Sequence, residues 1–199
     1  FLTSRRFPVS GGAAHLSNAF DGVPVHIHGD GQAALETGDF FTTWANRYDS
    51  DMPRTPTEAL TEGDVFPMGD GEVVPVHLPG HAGEGMGYHI PHLSTLVVGA
   101  LLPRADRPTR WDLPGGSLID VIDSFKRMMD MRLTSIVPLQ GPAIRGSEHV
   151  LDVLKRHLDF FESAAANDGQ PPPSWDRPAP TAVWLTPRTP WPLDETETV

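Results

Sequence analysis

Imidazole is the side chain in this sequence best placed to do chemistry. There are nine histidines and no cysteine. Thiolate catalysis, disulfides and Cys-type zinc sites are excluded, while imidazole metal sites stay open. Pro79-Gly80-His81 sets one imidazole at a strand end, where loops on a rigid scaffold carry function. His26-Ile27-His28-Gly29-Asp30 places two imidazoles at alternate positions of a strand, on one face, where both reach a single metal ion. The plainer reading of that pair is two surface histidines on a half-exposed strand. His77, His89, His92, His149 and His157 read as surface or hydrogen-bonded structural histidines. No G-x-S-x-G surrounds Ser94 or Ser117, and the glycines of residues 80–87 lack the Lys-Ser/Thr of a phosphate loop.

The elements that must position these groups follow from periodicity. Residues 72–103 read strand, Gly-rich loop, strand, turn, strand, with Val73, Val74 and Val76 in the first and Leu96, Val97 and Val98 in the last. Gly69-Asp70-Gly71 is a turn between β pieces. Ser117 is an N-cap, and Leu118, Val121, Ile122, Phe125, Met128 and Met129 form the stripe of a helix lying on a sheet. Residues 133–139 read as a buried strand. Residues 147–166 read as a second helix, with Leu151, Leu154, Leu158 and Phe161 on one face. Earlier in the chain, residues 11–20 read as a helix and residues 23–35 as a strand and short helix. Residues 38–49 also read as helical, with Phe40, Phe41, Trp44 and Tyr48 as core or lid packing, and residues 50–62 as a loop. Strand–helix alternation indicates an α/β domain over residues 1–167. The Pro-rich stretch 168–199, with Trp175, Trp184 and Trp191, reads as an extended tail.

Composition narrows the partners. A net charge of −11 makes nucleic acid and anionic membrane poor partners. No run approaches the roughly 18 apolar residues of a membrane span, so a cytoplasmic protein is expected. The first residue is Phe, so a processed product or a piece of something longer is expected.

Four stretches together resemble the metallo-β-lactamase family. Residues 3–12, TSRRFPVSGG, align without a gap with T-H-x-H-x-D-H-x-G-G, sharing Thr3, Gly11 and Gly12. Residues 79–91 resemble its PGHT-x-G loop and GYxxP strand. Val98-Gly99-Ala100-Leu101-Leu102 resembles VxGDLL, and Pro138-Leu139-Gln140-Gly141-Pro142 resembles PGHGP. The resemblance implies the later half of an αββα sandwich. It also implies a site at Ser4, Arg6, Pro8, Val9, His81, Ala100 and Gln140, the positions of the family's metal ligands. Only His81 is a competent ligand, and a catalytic zinc usually takes three from the protein.

The expectation is therefore a family member without the metal hydrolase site and without a cofactor, serving as a structural or binding subunit. The alternative is a hydrolase of an ester, thioester or lactone, acting through metal-free acid–base chemistry or a reduced zinc site at His26, His28 and His81. Arg5 or Arg6 is expected to project toward His81 and Gln140, making a place for a small acidic ligand. The family's β-rich first half has no counterpart here. A partner chain or a second copy is expected to complete the sandwich, with the tail wrapped around it.

Overall fold

The computed structural model describes residues 1–170. Its centre is a six-stranded mixed sheet: β3 (Phe66–Met68), β4 (Gly71–His77), β5 (Met86–Ile90), β6 (Thr95–Val98), β7 (Ser135–Val137) and β8 (Ile144–Arg145), in that spatial order. The first four strands form an antiparallel meander, as their short turns require. β6 and β7 are parallel, and α4 (Leu118–Asp130) is the crossover between them.

Alternation along the strands divides the core in two. Val76, Leu96 and Val98 face α4 and α5 (Ser147–Ala166), which bury Val121, Phe125, Met128, Leu154 and Phe161 against them. Ser117 caps α4 by accepting from the Asp120 amide. On α5 the buried face is centred on Val150, Val153, Leu154, Phe160 and Phe161, while Leu151 is exposed. His157 lies in this core, stacked on Phe125 and donating from Nε2 to the Ala105 carbonyl.

Val73, Met86 and Tyr88 face the other way, onto Leu60. This side is covered within the chain. Phe1 packs against Phe66 and Tyr88, and Tyr88 donates its hydroxyl hydrogen to the Leu2 carbonyl. Behind lies a small layer. β1 (His26–His28) and β2 (Glu58–Leu60) pair in parallel, beside α3 (Gly29–Thr37) and the short helices α1 (Phe7–Ser10) and α2 (Ala13–Ala19). Periodicity missed β2 because a three-residue strand is too short to carry a pattern.

Residues 38–49 are not an α-helix. They form turns and a 3-10 helix, Ala45–Tyr48, flanked by Trp44 at φ 67° and Asp49 at φ 49°. Two left-handed residues break the i→i−4 ladder that the aromatic spacing suggested. Trp175, Trp184 and Trp191 lie outside the described residues, as does most of the expected tail. Among the described residues no helix is long and apolar enough to cross a membrane.

Candidate functional site

The first residues of the chain cross the end of β6 and reach the loop after β4. Gly99 permits the crossing, since a Cβ there would lie 2.1 Å from Thr3 Oγ1. The Met86 amide donates to the Thr3 carbonyl, fastening the segment to β5. Arg5 and Arg6 are thereby set beside Glu84, His81 and Ala100. Gly80 allows the second approach. Its φ is 132°, its carbonyl accepts from the Ser117 amide, and a Cβ would sit 2.6 Å from the Val121 nitrogen. Only glycine takes that conformation so close to a helix start.

Between these segments is a cavity of about 240 Å³. Arg6, Pro8, Val9, His81, Ala100 and Gln140 all line it. Ser4 lines a smaller space of about 10 Å³ that shares His81 and Ala100 as its wall. The folded chain therefore gathers the positions aligned with the family's ligands. It does not gather the alternative set. His26 stacks on Phe1 at 5.1 Å, His28 stacks on His77 at 4.6 Å, and neither lines the cavity of His81. Short strand β1 ends in α3, so its histidines serve packing and the helix N-cap, where His28 Nδ1 accepts from the Asp30 amide. Among the described residues no three His, Asp or Glu side chains converge as a metal site.

The electrostatics of the cavity are cationic. Its lining contains Arg6, Arg107 and Arg110 and no carboxylate. Arg110 is held by Asp112 through paired hydrogen bonds. Arg5 turns away to Glu84, whose side chain is wholly buried and also accepts from Ser4 Oγ and the Arg5 amide. Arg6 is only 3% exposed. Its Nη2 donates to the Pro114 carbonyl, but Nε and Nη1 are buried with no hydrogen-bond partner. Burial, with Arg5 and Arg110 nearby, pulls its pKa down to about 10 against the opposing pull of Glu84. Its guanidinium carbon lies 5.3 Å from the Trp44 ring centroid.

His81 is poised differently from a metal-free surface histidine. Burial and the Arg6 charge push its pKa down to about 3, partly offset by its hydrogen bond to the Arg110 carbonyl. That bond, 3.1 Å from Nδ1, fixes the Nδ1–H tautomer and leaves Nε2 as the nitrogen with a lone pair. Thr109 Oγ1 sits 3.2 Å from the same Nδ1 and donates to the Ala100 carbonyl.

Sequence reasoning passed over Glu84, Arg107, Thr109, Arg110 and Asp112. Arg110-x-Asp112 was readable as a local ion pair, but residues 104–116 carry no period, and nothing local marks Glu84 as the partner of Arg5.

No family model matches the chain. Over 74 residues it is 36% identical to an uncharacterized protein of Aquifex aeolicus (strain VF5), covering 37% of this chain and 35% of that one. Over 145 residues it is 26% identical to the acyl-coenzyme A thioesterase MBLAC2 of Gallus gallus, covering 65% of this chain and 50% of that one. The chain thus spans a half or less of the length of these curated relatives. Among solved structures it is similar to the BLEG-1 B3 metallo-beta-lactamase, with a TM-score of 0.64 and 19% identity over 75% of this chain and 72% of that one. It is also similar to TTHA1623 in a di-iron-bound form, with a TM-score of 0.61 and 27% identity over 78% of this chain and 73% of that one. These likenesses define the class: the chain is a metallo-β-lactamase-fold protein, α/β with a mixed sheet.

Proposed function

We propose that this chain is a binding subunit that takes a small anion in the cavity where relatives of its fold hold metal. The observation that carries the reading is Arg6. It stands at a ligand position, nearly fully buried, with two N–H groups unpartnered in a cavity lined by three guanidinium groups and no carboxylate. The donor set does not fit a catalytic zinc. Arg6 offers only N–H donors, Pro8, Val9 and Ala100 offer no side-chain donor atom, and His81 is the one imidazole. A guanidinium supplies a fixed positive charge in the metal's place and suits an oxyanion.

The likeness to an acyl-coenzyme A thioesterase favours a second reading, hydrolysis of an ester, thioester or lactone. Without a metal, His81 Nε2 would be the base and Arg6 the group facing the developing oxyanion. Against it stands the His81 pKa of about 3. An imidazole held that far below neutral pH is a weak proton acceptor and a poor general base.

One preparation separates the readings. Purified protein is subjected to elemental analysis, to thermal unfolding with anions and with zinc, and to turnover of ester and thioester substrates. Anion-dependent stabilisation, far less than one metal ion per chain and no turnover support the binding reading. Stoichiometric zinc that survives dialysis, or turnover abolished in His81→Ala, overturns it in favour of the hydrolase.

The subunit part of the reading concerns what the chain meets. Leu16 and Phe20 on and after α2, with Val23, stand 56%, 68% and 48% exposed. A partner chain or second copy at this apolar edge accounts for their composition. A concentration-independent monomer by light scattering removes it.

A further inference from the structure

We infer that the ligand of the cavity is an organic carboxylate with a flat apolar body, of the arylcarboxylic class. Its carboxylate sits on Arg6 and Arg107 and its body lies along Trp44. The inference rests on the anion-binding reading and names the ligand within it.

The head group is set by the two arginines. Arg6 offers Nε and Nη1, and Arg107, on the opposite loop, offers a buried Nε, all without partners among the described residues. Thr109 spends its hydroxyl hydrogen on Ala100. Tyr48 and Gln140 also line the space with neutral donors, so the charged donors are the guanidinium N–H groups, which match the planar carboxylate.

The body is set by the remaining walls. Trp44, Tyr48, Leu113 and Leu139 are apolar or aromatic faces of the same space. An inorganic phosphate would leave them in contact with water, whereas a ring covers them. Trp44 is held at φ 67°, a conformation that bulky side chains rarely adopt and that concentrates at ligand sites. The strained backbone brings its indole to the cavity and within 5.3 Å of the Arg6 guanidinium.

Size excludes the larger candidates. About 240 Å³ falls below the roughly 300–1,000 Å³ of sites for drug-sized ligands. A nucleotide or an acyl-coenzyme A cannot be enclosed here, while a single ring with one carboxylate can.

The test is isothermal titration of the full chain with benzoate, acetate and inorganic phosphate, repeated on Arg107→Gln and Trp44→Leu. Circular dichroism checks folding, and the partly exposed Arg107 is chosen in place of Arg6, whose burial makes it a poor site for substitution. Benzoate is expected to bind one per chain, about tenfold or more tighter than acetate or phosphate. Arg107→Gln should weaken benzoate about tenfold, and Trp44→Leu should bring benzoate down to the affinity of acetate. Acetate or phosphate binding as tightly as benzoate overturns the arylcarboxylate and leaves the anion reading standing. Failure of all three anions to bind the folded protein overturns both.

Discussion

Arg5 donates to a carboxylate, Glu84, that is wholly buried and lies 79 positions away in sequence. The pair ties the first residues to the loop after β4, and Ser4 and the Arg5 amide add two more donors to the same carboxylate. Removing one partner of a buried pair strands the other charge and typically costs about 3–5 kcal/mol. Glu84→Gln is expected to lower unfolding free energy by that amount in urea titration. A loss below about 1 kcal/mol would mean that apolar contacts such as Phe1 on Tyr88 hold the segment by themselves.

The gathering of the aligned positions around one cavity has a constructive test. In Arg6→His/Gln140→His, the new imidazoles and His81 would share the wall of that cavity. Three imidazoles are enough for a zinc site with an open fourth position. Equilibrium dialysis should then find one zinc per chain in the double variant, with much less in the unaltered protein. No gain in zinc would show that these positions, though neighbours, do not converge to ligand distances.

How much of this was legible in the sequence depends on the range of each interaction. α4 and α5 were readable because their apolar stripes repeat every turn, and Ser117 marks its own helix start. The strands of residues 72–103 were readable because β4, β5 and β6 are consecutive and joined by short turns. The arrangement of Ser4, Arg6, Pro8, Val9, His81, Ala100 and Gln140 came from the resemblance, not from local pattern. Residues 38–49 misled because Phe40, Phe41, Trp44 and Tyr48 have helical spacing, while Trp44 and Asp49 take left-handed backbone that interrupts the helix. Glu84 and Arg107 were illegible for a simpler reason: their roles rest on neighbours far away in the chain.

Acid should destabilise the protein through His157. The ring is fully buried, and desolvation lowers its pKa from 6.5 to about 4. Between those values the unfolded chain binds the proton and the folded chain does not. Stability is therefore complete above about pH 6.5, falls as pH drops toward 4, and loses nothing further from this group below that. A shift of this size corresponds to about 3 kcal/mol. Urea unfolding at pH 7 and pH 4.5 should show much of that loss, and His157→Gln, which cannot titrate, should show a flatter profile. An unchanged profile in the variant would move the acid sensitivity to other groups, His81 first among them.

Two glycines should respond to alanine in opposite directions. At Gly80 the φ of 132° is one that L residues rarely adopt, and a Cβ would sit 2.5–2.7 Å from atoms of Val121. Relief requires α4 to withdraw from the loop that carries His81. The backbone strain alone is worth about 1–3 kcal/mol, and the contact with the helix backbone adds to it. At Gly29, the first residue of α3, nothing lies within 4 Å of a Cβ and the backbone is helical. There alanine removes freedom from the unfolded chain and should stabilise by about 0.4–1 kcal/mol. Melting temperatures of the two variants check the pair: Gly80→Ala well below the unaltered protein, Gly29→Ala at or above it. If Gly80→Ala melts like the unaltered protein, the loop after β4 is not pressed against α4 as described, and the position of His81 in the cavity wall falls with it.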